Sequence, residues 1–310
     1  MIVVLVLART FHVGSAMMLV ALPYFCLVVL KPVFVAGAAE SLSSFLRTMM
    51  KWLWIALALE IISGGVWFWF AAAQMSDRSP WKIPDPSELN VVLWQTQFGR
   101  LWLVRSAIGI ALGLTLCSAS RRNILLRRSH LPWLILALSS LLLTTLAWAG
   151  HASAGIHNHV LHLVADILHL LVGSIWPMGL IPLGSFLWHT GRRSHHPPEE
   201  SEIKTLQRFS RSSRMAVVLL VATGLINAWL MLGSWYALAT TLYGKLLLAK
   251  VLAAAIMIGL GACNRFYLLP RIQDGPLIAR FLRRTILAES CLLMVVLLIV
   301  GIMGMTSPPN

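Results

Sequence analysis

The chain has 310 residues, of which 58% are hydrophobic and only 12% charged, with a mean hydropathy of +0.79. No water-soluble domain of this size needs so much apolar surface. Long apolar runs with polar punctuation indicate an all-α polytopic membrane protein rather than a β-barrel, whose segments are short and alternating. A net charge of +14 would suit nucleic acid in a soluble protein, but the placement of the basic residues explains it otherwise, and no nucleic-acid partner is expected.

Eight apolar segments, at about 2–30, 50–74, 98–119, 131–150, 159–188, 213–234, 243–264 and 285–304, are each long enough to cross a hydrocarbon core of roughly 30 Å. The first lacks a basic leader and exceeds the length of a signal-peptide core, so it reads as a retained span. It carries Arg9, Phe11-His12, Met17, Met18 and Cys26. Span two holds Glu60 near its middle, then Ser63-Gly64 and Trp69. The segment from Gln74 to Gln97, with Pro80, Pro84, Pro86, Trp81 and Trp94, reads as an ordered interfacial cap. Span three contains Arg100, Arg105 and Cys117. After span four comes the richest feature of the chain: His151, His157, His159, His162 and His169 are five of its ten histidines. Span five continues with Asp166 and Met178, and the loop from His189 to Ser212 is polar, with His195-His196 read as solvated. Span seven holds Lys245, Lys250 and Cys263; span eight holds Glu289, read as paired or solvated near its end, and Cys291.

Basic residues alternate between the connecting sides. Lys31, Arg47 and Lys51 follow span one, and Arg121, Arg122, Arg127 and Arg128 follow span three. Arg192, Arg193, Lys204, Arg208, Arg211 and Arg214 follow span five, and Arg265, Arg271, Arg280, Arg283 and Arg284 follow span seven. These are eighteen of the 25 basic residues, whereas the opposite loops carry only Arg78 and Lys82. The positive-inside rule then places both termini and the histidine loop outside the cytoplasm.

An internal repeat is legible. Thr96-Gln-Phe-Gly-Arg-Leu-Trp-Leu-Val-Arg105 matches Thr241-Leu-Tyr-Gly-Lys-Leu-Leu-Leu-Ala-Lys250 by residue class. Ser63-Gly64 before Trp69 resembles Thr223-Gly224 before Trp229, and Phe11-His12 resembles Leu168-His169. The matches keep their order, so two parallel four-helix repeats are expected, with a site at their interface. Residues 1–130 hold the first repeat through its third span and inner loop, 131–158 its fourth span and the outer histidine loop, and 159–310 the second repeat, all in one membrane domain.

Ionisable groups inside a bilayer are costly without partners. Glu60, Arg105, Asp166 and Lys250 are therefore candidate supporting or proton-relay groups, with Asp166 paired to Arg9 or Lys250 as the structural alternative. His162, Asp166 and His169 share one helix face, with His159 above them. The repeat places His12 at the depth of His169, the two facing each other. Imidazoles suit copper, zinc, iron or nickel, and a carboxylate commonly supports a ligating histidine. The candidate metal ligands are thus His12, His151, His157, His159, His162 and His169. Cys26, Cys117, Cys263 and Cys291 all fall in the inner leaflet, where thiolates would suit Cu(I), although small apolar packing is the favoured role for these cysteines. They form no CxxC, and disulfides are not expected.

Gly150-His151-Ala152, Leu168-His169 with Trp176, Phe209-Ser210-Arg211, Thr223-Gly224 with Asn227-Ala228-Trp229, Thr241 with Tyr243-Gly244-Lys245 and Lys250, and Asn264-Arg265 together resemble the copper-resistance D family of bacterial inner-membrane proteins. The similarity is clearest over about 145–270 and extends weakly to Phe11-His12 and Phe98-Gly99-Arg100; span one has Leu19 where span five has Trp176. The resemblance implies copper movement across the membrane, alongside a periplasmic copper-binding protein of the copper-resistance C type, without catalysis. No nucleotide-binding loop is visible. The alternatives are a b-type cytochrome, with haem held by facing histidines, and a scaffold for a periplasmic copper protein.

Overall fold

The computed structural model describes residues 2–34, 39–82, 85–120, 130–149, 159–191 and 199–306. All regular structure among them is helical: α1 (Ile2–Tyr24, continued by a π-helical turn Phe25–Leu30), α2 (Ala39–Met75), α3 (Pro86–Gln95), α4 (Gln97–Ser120), α5 (Leu131–Thr144), α6 (Leu146–Ala149), α7 (His159–Ile175), α8 (Leu180–Gly191), α9 (Glu200–Leu232), α10 (Trp235–Thr240), α11 (Leu242–Cys263) and α12 (Pro276–Met303). A π-helical turn, Asn264–Leu268, and a 3₁₀ turn, Leu269–Asp274, extend α11. Eight segments are long and apolar enough to cross a membrane: Ile2–Leu30, Leu42–Met75, Gln97–Ser120, Leu131–Ala149, His159–Thr190, Glu200–Leu232, Leu242–Asp274 and Pro276–Met303.

Several helices outrun the apolar segments. α2 starts eleven residues before the expected span, α9 thirteen and α12 nine. Helical hydrogen bonding does not need hydrocarbon, so charged turns continue the helix into water. The Lys204–Glu200 pair, 2.7 Å apart one turn along α9, lies in such an extension. Part of the expected polar loop 189–212 is therefore helix. The segment after α2 is likewise an ordered cap: Trp69 Nε1 donates to Pro80 O (2.8 Å), and Arg78 pairs with Glu88 (3.2 Å). Asp85 caps α3 by accepting from Ser87 N (3.0 Å), which holds its carboxyl below the usual range. Span five is interrupted between α7 and α8, where Pro177 cannot donate and Met178 N reaches back to Gly173 O (3.1 Å). α9 ends at Gly233, whose φ of 62° is a left-handed cap.

α1 is the hub. Within its most apolar window 72% of residues are buried, against 17% for α9 and for α11. It packs against α2, α5, α7 and α12, with Ala16, Leu19, Ala21 and Leu22 fully inside. Long-range ties join the helix ends: Arg208 Nη2 donates to Val28 O (3.1 Å) at one end, and Arg9 approaches Met305 Sδ (3.6 Å) at the other. Packing pairs recur along the chain: α1 with α2 and α7 with α9; α3 with α4 and α10 with α11; α4 with α5 and α11 with α12.

Candidate functional site

Two histidine-centred clusters lie within the helices, each held by a different set of partners.

In the first, His12 of α1 is fully buried. Its Nδ1 lies 3.1 Å from Glu60 O, 3.3 Å from Ser63 Oγ and 3.3 Å from Glu60 Oε2, all on α2. Ser63 Oγ donates to Leu59 O, so it is free to accept from the ring. From α4, Arg105 Nη2 donates to His12 Nε2 (2.8 Å) and pairs with Glu60 Oε1. Arg105 Nη1 donates to Leu142 O (3.0 Å) and to Thr145 Oγ1. Ser15 donates to Glu60 Oε2 (3.0 Å). Glu60 and Arg105 are as buried as the imidazole, and their opposite charges offset each other's desolvation.

This geometry assigns the ring proton to Nδ1, because an arginine has only donors and must find a lone pair on Nε2. Both nitrogens are therefore engaged. Trp67 and Trp102 close the pocket, their ring centroids 5.5 and 5.3 Å from that of the imidazole. The Arg9 guanidinium stacks on Trp67 (4.6 Å), not on Asp166. Gly64 permits this packing: a Cβ there would lie 2.9 Å from His12 Cε1 and 2.8 Å from Trp102 Cζ3.

The second cluster is more open. His169 of α7 is partly exposed, and its Nδ1 lies 3.0 Å from Thr223 Oγ1 on α9. Thr223 Oγ1 itself donates to Leu219 O (2.7 Å), so it accepts the Nδ1 proton of His169. The Nε2 lone pair is left without a partner among the described residues. Asp166, one turn away, accepts from Asn227 Nδ2 (3.4 Å) and interacts electrostatically with Lys250 of α11. Asn227 Oδ1 is buried without a partner among the described residues. His162 is buried on the same helix, with His159 at its start. A Cβ on Gly224 would meet His169 Cε1 at 3.3 Å, the counterpart of the tighter Gly64–His12 approach.

The expected residues therefore fall into two hydrogen-bonding networks. His12, Glu60 and Arg105 come together, as do His169, Asp166 and Lys250, but the hydrogen bonds of the two histidines run to different helices. A metal at His12 must first displace Arg105, and the same holds for haem iron. Among the described residues no group of three or more histidine, cysteine or acidic side chains is placed to hold a metal ion. His151 and His157, like His195 and His196, lie outside the described residues. Cys26 is buried in the core, while Cys117, Cys263 and Cys291 lie on helix exteriors. Sequence reasoning missed Ser15, Trp67, Trp102 and Thr145, used Ser63 and Thr223 only as repeat or family markers, and used Asn227 only in the family resemblance. Helical spacing offered a signal: Ser15 follows His12 by three residues and Trp102 precedes Arg105 by three, so each shares its face.

Residues 1–159 match the family described as Copper resistance protein D-like, N-terminal domain, and residues 203–303 match the family described as Copper resistance protein D. The chain is 32% identical to Inner membrane protein YebZ of Escherichia coli over 196 residues, 61% of each chain. It is 27% identical to Copper resistance protein D of Pseudomonas syringae pv. tomato over 266 residues, 82% of this chain and 81% of that one. It is 29% identical to Copper transport protein CutJ of Bacillus subtilis over 227 residues, 73% of this chain but 40% of that protein. The match thus spans less than two thirds of the length of the Escherichia coli and Bacillus subtilis relatives. No solved structure matches the chain.

Proposed function

Because the chain belongs to the copper resistance protein D family, we propose that it handles copper in a bacterial inner membrane and passes the ion between periplasm and cytoplasm through its second histidine cluster. The observation that carries this reading is the orientation of His169: Thr223 holds its Nδ1 proton, and the Nε2 lone pair has no partner among the described residues. A neutral imidazole with its other nitrogen anchored is the form that binds copper.

The two clusters then divide the work. Arg105 is a permanent cation locked between Glu60 and His12, so the first cluster is a structural keystone. Lys250 is the corresponding cation of the second cluster, but it only lies near Asp166. It acts as a stand-in that an arriving copper ion displaces. His151, His157, His159 and His162 collect the ion at the mouth, and a periplasmic copper-binding protein of the copper-resistance C type delivers it there. With basic residues clustered on alternate connections, the basic end faces the cytoplasm and both termini face the periplasm. No bond-making chemistry is required.

Copper uptake into proteoliposomes tests the reading. His169→Ala is expected to lower flux at least tenfold while the protein elutes as a monodisperse species. Undiminished flux in that variant would remove the second cluster from the path.

A further inference from the structure

A cavity of about 350 Å³ opens between α9 and the α11–α12 pair, away from both histidine clusters. Its walls are apolar and partly aromatic: Trp176, Phe209, Ile258, Phe266, Leu282 and Ile286. Val218 on α9 and Phe266 just after α11, both on its lining, are well exposed, so the cavity opens on the outer side of these helices, near the basic connections. Such walls do not hold water well and suit an apolar guest.

One group in the cavity is out of keeping with the rest. Glu289 of α12 is 1% exposed. Among the described residues it has no ion-pair partner, and it is buried rather than at a solvent-facing helix end, contrary to the sequence expectation. Thr285 donates to Asn264 Oδ1, and Asn264 Nδ2 donates to Glu289 Oε1. This chain fixes the carboxyl plane, yet Glu289 Oε2 is buried with no partner among the described residues. Asn264 opens the π-helical turn after α11, and such wide turns recur at functional sites. Beside the free oxygen stands Gly261, where a Cβ would lie 3.5 Å from Oε2 and 3.8 Å from Trp176 Cζ2, so space is left next to it. Glu289 is five residues along α12 from Arg284, about 8 Å deeper into the membrane at the ordinary helical rise.

A buried polar atom in an apolar pocket sets the orientation of a ligand. The ligand must come from the bilayer, carry a flat ring for the aromatic wall, and present one neutral hydrogen-bonding group to Oε2. We propose that this cavity binds the head of a lipid-soluble quinone or quinol, its ring against Trp176 and Phe209 and its oxygen at Glu289, with the isoprenoid tail leaving by the lateral mouth. A quinol hydroxyl donates to the carboxylate; a quinone carbonyl accepts from the protonated acid. Arg265, which donates to Ser210 O and Oγ (2.7 and 2.9 Å), and Arg214 also line the cavity, and neither hydrogen-bonds Glu289 Oε2. The inference is independent of copper handling and survives if that reading fails.

The test is binding of decylubiquinone, oxidised and reduced, to the full-length protein in neutral phospholipid nanodiscs by equilibrium dialysis. Wild type is expected to bind saturably at about one per chain. Gly261→Leu, which fills the space beside Oε2, is expected to abolish binding, and Glu289→Leu to weaken it at least tenfold. Gly261→Ala, whose methyl sits at ordinary contact distance, should retain it. Mass spectrometry of lipids copurified with the wild-type protein gives a reading that does not depend on variants, and near-stoichiometric quinone is expected. Absence of saturable binding, or binding unchanged by Gly261→Leu, overturns the proposal. So does occupancy by anionic phospholipid that depends on Arg214 and Arg265 but not on Glu289.

Discussion

The two histidine clusters share one imidazole tautomer and differ at a single lone pair. In both, a hydroxyl on the neighbouring helix spends its own hydrogen on a carbonyl four residues back, Ser63 to Leu59 and Thr223 to Leu219, and so accepts from imidazole Nδ1. The difference lies on the other nitrogen, where Arg105 takes the lone pair of His12 while that of His169 stays open. Thr223→Val keeps the shape but removes the acceptor. It is expected to weaken copper binding about 10–100-fold, the usual effect of losing an anchor behind a metal ligand, as read by competition with a chromogenic chelator. In the first cluster the exposed quantity is stability. Glu60→Gln leaves Arg105 charged and uncompensated in the bilayer and is expected to cost about 3–5 kcal/mol in thermal or denaturant unfolding in detergent, with Glu60→Gln/Arg105→Gln recovering part of it. Stability unchanged in Glu60→Gln would mean the pair is not a keystone. The membership of this cluster was half legible: ionisable residues inside apolar segments announce themselves, but Trp67 and Trp102 looked like any membrane tryptophans.

At the scale of elements, the ten-residue match between Thr96–Arg105 and Thr241–Lys250 has a structural meaning that residue classes alone did not carry. Each segment begins a long helix directly after a short one, and in each the threonine hydroxyl caps the glycine amide three residues on, at 2.9 Å for Thr96–Gly99 and 3.0 Å for Thr241–Gly244. In both places the glycine lies against the backbone of the preceding short helix, where a Cβ has no room. Thr96→Ala and Thr241→Ala are each expected to cost about 0.5–2 kcal/mol, the range for lost N-caps, measurable as a drop in thermal unfolding midpoint. If both are neutral, the two short-helix junctions owe their geometry to the glycines alone. Span edges were less legible. Hydropathy locates where a helix leaves hydrocarbon, not where its backbone stops, which is why α2, α9 and α12 run past the apolar segments. The break at Pro177 divides span five although its hydropathy is continuous.

For the whole molecule, basic residues on alternate connections imply a fixed orientation, and this is checked without any copper assay. A periplasm-active phosphatase fused after Asn310 is expected to be active and a fluorescent protein at the same point dark; the reverse pattern would invert the topology and place the histidine mouth in the cytoplasm. The number of spans and the asymmetry of charge were determined by sequence alone, because transfer between water and hydrocarbon depends on what each residue is, summed along a segment. What each ionisable group meets was decided only by the tertiary structure. His12 and His169 lie in similar short sequence motifs, yet one is locked by an arginine and the other has no partner at Nε2 among the described residues. Glu289 looked like an interfacial residue and instead closes a cavity with an unpaired oxygen. Hydrogen bonds act over about 3 Å and depend on direction, so they are settled by which helices pack together and at what rotation, information that no single segment contains.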